Sequence, residues 1–148
     1  MPAHVLDMTA RPHLPEVFRL LEHCDASLRQ SGLAAELCDD VRLVLEELMV
    51  NMVEHGHAPP AEPGTIALQV RRLADAVLID LHDDGRPFDP LQARPPALAG
   101  DLADAEQVGG LGIHLVRSLV SDLEYRRGPQ GNHLRIRFDA TDRTEPRP

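Results

Sequence analysis

The sequence predicts an α+β domain built as a two-layer α/β sandwich, with helices on one face of a mixed, mostly antiparallel sheet. Three observations carry that reading. Apolar residues recur at helical period in two stretches before residue 57. The period then switches to two over Thr65–Leu81, broken once by a short turn. After a glycine-rich segment and one further helix, the alternation returns in LRIRF at 134–138.

Each element has its own justification. Residues 3–9, AHVLDMT, read as a short first strand. Leu14–Gln30 is a helix whose buried face is Leu14, Val17, Leu20 (or Leu21), Cys24 and Leu28. Ser31-Gly32 ends it, glycine being suited to the left-handed C-cap. A second helix starts near Ala34 and continues through Val41–His55, with Val41, Leu45, Leu48 and Met52 as one apolar stripe. Gly56 stops it and Pro59-Pro60 forbid its return. TIALQVRRL and AVLIDLHD, joined by a short turn at Leu73–Asp75, form a β-hairpin. The second strand runs into Asp83-Asp84-Gly85-Arg86-Pro87-Phe88-Asp89-Pro90, a stretch dense in turn formers. Pro90–Val108 has no period, and a loop of that length is expected to be a functional lid or disordered. Gly109-Gly110-Leu111-Gly112 then feeds the helix IHLVRSLV. Leu123–Arg127 and His133–Phe138 are strands with Gly128–Gly131 as their turn.

Length and composition bound the function. The 148 residues suffice for one domain with a proper core, expected over 1–140 with a flexible tail at 141–148. No run of 18 apolar residues is present, so no membrane span is expected, and the N-terminus lacks a signal-peptide pattern. Cys24 and Cys38 make neither a disulfide framework nor a zinc site, and a cytoplasmic protein is the simplest expectation. A net charge of −9 argues against direct nucleic-acid or anionic-membrane binding. Aromatic residues at 3% argue against a base-stacking platform.

Chemistry gathers in three places. On the second helix Glu47 and Asn51 stand one turn apart, about 40° round the axis, so both reach one site, and His55 continues that edge. At the end of the hairpin Asp83-x-Gly85 puts a carboxylate where it can accept from an exocyclic amine, beside a glycine that keeps the wall thin. GGLG before a helix lets backbone approach phosphate oxygens at a helix N-terminus. Each alone has a plain structural explanation: a solvated helix edge, an Asp-Gly turn, a tight turn before a helix.

Taken together, the three resemble the ATP-binding domain of the GHKL superfamily, whose members include gyrase, MutL and histidine kinases. LVLEELMVNMVEHG looks like the N box, IDLHDDGRPFDP like the G1 box, and GGLGIHLVRSLVSDLEYRR like the G2 box. DDGRPFDP and GGLGIHLVRSLV are especially similar to the small anti-sigma-factor serine kinases of the RsbW type. The resemblance covers about residues 10–138 and implies the Bergerat-type ATP-binding fold. Only about 40 residues precede Val41, too few for the His-bearing helix pair of a histidine kinase, which favours the RsbW type.

The resemblance implies ATP and Mg²⁺ as cofactors. Asn51 would be the metal ligand, an amide oxygen being a hard donor. Glu47 would be the general base that activates a hydroxyl. Asp83 would bind the adenine amino group, with Gly85 and Phe88 beside it. Gly109, Gly110, Leu111 and Gly112 would shape the phosphate turn, with His55 nearby. Asn132 sits where the family often has a hydroxyl or amide facing the nucleotide. The implied partners are a sigma factor or similar regulator and a STAS-domain anti-anti-sigma protein phosphorylated on Ser or Thr; relatives also form homodimers. Two departures stand out. Pro87 replaces the usual second glycine of the G1 box. Gln107 and Val108 stand where relatives tend to place an arginine, leaving Arg94 as the one base of the lid. A nucleotide-dependent protein-binding module with little or no kinase activity is therefore the alternative.

Overall fold

The computed structural model describes residues 3–56, 64–92 and 110–140. In chain order these form β1 (Ala3–Ala10), α1 (Leu14–Gln30), α2 (Ala35–Asn51), a π-helical turn (Met52–Gly56), β2 (Ile66–Arg72), β3 (Ala76–Asp83), a 3₁₀ turn (Pro90–Gln92), α3 (Gly110–Leu119), β4 (Asp122–Gly128) and β5 (Gly131–Asp139). The predicted lid beyond Gln92 and the tail at 141–148 lie outside the described residues.

The five strands make one sheet in the order β1-β2-β3-β5-β4. All four pairings are antiparallel, where the sequence predicted a mixed sheet. The reason is the position of β5. β3, α3 and β4 form a split β-α-β unit, and the closing hairpin drops β5 into the gap, so the parallel pair never touch. Register puts Ile66, Leu68 and Val70, then Val77, Ile79 and Leu81, then Leu134, Ile136 and Phe138 on one face. All nine are buried. The apolar stripes of α1 and α2 close over them: Val17, Leu20, Leu21, Cys24 and Leu28 from one, Val41, Val44, Leu45, Leu48 and Met49 from the other. Period two in the strands and 3.6 in the helices thus point at the same core. Leu20 and Leu21 are both buried, and Leu14 is only half-buried.

Helix α1 ends as predicted, with Gly32 in the left-handed region at φ 84°. Arg72 at the end of β2 donates to the Ser31 carbonyl and ties that corner to the sheet. The two cysteines are free and buried between the helices. Burial, then the nearby Asp25 and Cys38, push the Cys24 thiol up to about 12, so it is a packing group and not a nucleophile.

The opposite sheet face is polar. At its centre Asp80, 3% exposed, is ringed by Arg71 at 3.1 Å, Arg135 at 3.0 Å and His133 at 2.7 Å. Burial alone would raise the Asp80 carboxyl, but hydrogen bonds from Arg135 and His133 outweigh it and hold it below its ordinary value. His82 stacks on His133, ring centroids 4.1 Å apart.

Candidate active site

The site forms where the end of α2 meets the end of β3. Asn51 is the last residue of α2 and is 5% exposed. Its Nδ2 donates to Glu47 Oε1 at 3.4 Å, one turn back, as the spacing predicted. With Nδ2 on the carboxylate, the amide oxygen is turned away from Glu47, and an amide oxygen is a hard donor that fits a hard cation. Glu46 and Glu47 are both half-buried, so exposure does not separate them; the contact with Asn51 does.

Beyond Asn51 the backbone departs from a regular α-helix. Residues 52–56 are π-wound, and the Met52 N–H is shared between the Leu48 and Met49 carbonyls. A widened turn of this kind often marks a functional position. It re-aims His55, whose ring stacks on Phe88 at 5.5 Å between centroids and 19° between planes. Gly56, buried, then brings its backbone against Asp83.

Asp83 is 4% exposed and caps its own turn, Oδ2 accepting from Gly85 N at 3.1 Å. The loop that follows is held at almost every residue. Thr65 N donates to Asp84 Oδ1 at 2.9 Å, Arg127 to Gly85 O at 2.7 Å, and Arg86 N to Gly56 O at 3.1 Å. Asn132, 3% exposed and directly across from Asp83 in the β3–β5 ladder, donates to Arg86 O at 2.7 Å and to Asp83 Oδ2 at 3.4 Å. Pro87 in place of a glycine is accommodated, since its neighbours hold the loop through their own backbone groups.

The glycine-rich segment meets Glu47 from the other side. Gly110, Leu111 and Gly112 are already the first turn of α3, not a loop before it as the sequence suggested; Gly109 lies outside the described residues. A Cβ on Gly112 would fall 1.7 Å from Glu47 Oε1, so the carboxylate lies directly over the glycine backbone. Glycine here makes room for an acid on α2.

The structure thus pairs Asn51 with Glu47, Glu47 with Gly112, His55 with Phe88, and Asp83 with Gly56 and Gly85, all where the end of α2 meets the end of β3. The roles of Asn132, Tyr125, Arg86 and Arg127 in holding the loop were not readable. Only the hairpin register that sets Asn132 opposite Asp83 could have signalled one of them.

A family model described as the histidine kinase-like ATPase domain matches residues 9–138. The chain belongs to this ATPase family. Within it, the chain is 36% identical over 116 residues to the serine/threonine-protein kinase BtrW of Bordetella bronchiseptica, covering 78% of each protein. It is 28% identical to the serine-protein kinase RsbW of Listeria innocua, covering 80% of this chain and 76% of that one. Among solved structures it resembles the histidine kinase domain of the Erythrobacter litoralis EL346 blue-light activated kinase. The TM-score is 0.57 at 16% identity, covering 85% of this chain and 62% of that one, a likeness of fold. The family's ATPase character agrees with the donor set: a buried amide, a buried carboxylate at a strand end, and a stacked ring pair beside them.

Proposed function

We propose that this ATPase-family domain binds Mg·ATP at this site and is a protein serine/threonine kinase of a partner-switching system. Asn51 holds the metal, which supplies charge neutralisation for the phosphates. Asp83 takes the adenine amino group, with Gly85 and Phe88 as the wall of the base pocket. Glu47 accepts the proton of a Ser or Thr hydroxyl as its oxygen bonds to the terminal phosphorus and ADP leaves with the electrons of the broken P–O bond. The hydroxyl belongs to an antagonist protein of the STAS type, and the unphosphorylated antagonist competes with a sigma factor or similar regulator that this domain sequesters. The observation that carries the reading is the Glu47–Asn51 contact at the end of α2, whose continuation meets Asp83 at Gly56, in a chain 36% identical to a serine/threonine-protein kinase.

The test is calorimetric titration of Mg·ATP, followed by transfer of labelled phosphate to a cognate STAS-type antagonist. Asn51→Ala is expected to abolish Mg²⁺-dependent ATP binding and Asp83→Asn to abolish adenine recognition. Glu47→Ala should retain ATP binding and lose transfer. The label should survive acid, as phosphoserine does. Wild-type ATP binding with no transfer would sink the kinase reading and leave a nucleotide-dependent binding module.

A further inference from the structure

The single tyrosine of the chain hydrogen-bonds the residue that lies across from Asp83. Tyr125 lies on edge strand β4, half-buried, and its hydroxyl donates to Asn132 Oδ1. The same Oδ1 accepts from Phe88 N at 3.3 Å. The other end of the Asn132 amide faces two acceptors, Arg86 O and Asp83 Oδ2. The amide orientation is therefore fixed by its surroundings: donors on one side, acceptors on the other. Flipped, it would set its oxygen against a carbonyl and a carboxylate, and its NH₂ against an N–H and a hydroxyl. Tyr125 is the one side-chain donor on the oxygen side among the described residues. Without it, Phe88 N alone holds that side, at the long end of hydrogen-bond range.

We infer that Tyr125 is a positioning residue for the base pocket, acting through Asn132. Its hydroxyl locks the Asn132 amide. Asn132 in turn fixes the Arg86 and Phe88 backbone, and with it the Phe88 ring that stacks on His55. The inference rests on the nucleotide reading above and adds a residue that sets recognition of the purine base and leaves phosphate binding alone. Glu47, Asn51 and Gly112, the groups assigned to the phosphate side, make no recorded contact with the clamp among the described residues.

The experiment separates base from phosphate. Tyr125→Phe keeps the ring and deletes one hydroxyl. Its affinity for Mg·ATP is expected to fall about threefold to tenfold, the size of one net hydrogen bond. Its affinity for Mg·tripolyphosphate should stay as in wild type, and its preference for ATP over ITP should narrow by the same factor. A role confined to stability would lower the melting temperature and leave the ATP-to-ITP ratio in place, and that result would overturn the inference. Wild-type protein supplies a second measurement that needs no variant. With one tyrosine, selectively labelled protein gives a single set of ring resonances, expected to shift with ATP and not with tripolyphosphate. Resonances unmoved by ATP in a protein that binds it would refute the positioning role alone. A wild type that binds no nucleotide would remove the base pocket and refute both readings.

Discussion

At the scale of single residues, the most exacting contact is between Glu47 and Gly112. Any side chain at 112 would enter the space of the carboxylate. Glu47 has rotatable bonds, so Gly112→Ala is expected to fold and to push the acid off its position. Displacing a catalytic group by about 1 Å can slow a reaction about a hundredfold, so the proposed transfer should fall at least tenfold, and by more than Mg·ATP affinity falls. Single-turnover transfer against calorimetry checks this. A second residue-scale expectation concerns His82. Burial first, then the charges of His133 and Arg135, hold its pKa below the ordinary value against the pull of Asp80 and Asp83. The unfolded chain then binds the proton more readily, so stability drops as pH falls through and below about 6.5. His82→Gln should flatten the slope of melting temperature against pH below about 6.5. Glu47 and Asn51 were legible because i, i+4 spacing on one helix settles their neighbourhood. Asn132 was singled out by resemblance alone, and its bond to Tyr125 was not legible, because that contact depends on strand register and on a loop from another part of the chain.

At the scale of elements, local chemistry predicted α1 to the residue: an apolar face at helical period and Gly32 just past the end. Gly32→Ala puts a Cβ at φ 84° and is expected to destabilise by about 1 kcal/mol in urea unfolding. The end of α2 was read less well. Nothing before Gly56 signals a widened turn, because residues 52–55 would also suit a regular helix. The π winding is expressed only where Gly56 and Arg86 meet. The start of α3 was likewise set by tertiary contact. GGLG looks like a loop by propensity, but the approach of Glu47 to Gly112 favours winding those glycines into the first turn.

At the scale of the whole molecule, periodicity was enough to give the two layers and the hydrophobic side of each, and the core it named is the core observed apart from Leu14, which is half-buried. Phe138 is among the largest fully buried side chains and sits on β5, the strand that joins the β4–β5 hairpin to β3. Phe138→Ala should destabilise by about 3–5 kcal/mol, measured as a shift in urea midpoint with little change in slope. Strand order was less legible, since alternation fixes faces and not neighbours. That order has a consequence for the chain as it is made. The last strand among the described residues is an inner one, so a growing polypeptide carries the β3 edge unpaired until residues 131–139 leave the ribosome. A nascent chain stalled before that point exposes a strand edge that invites chaperone capture.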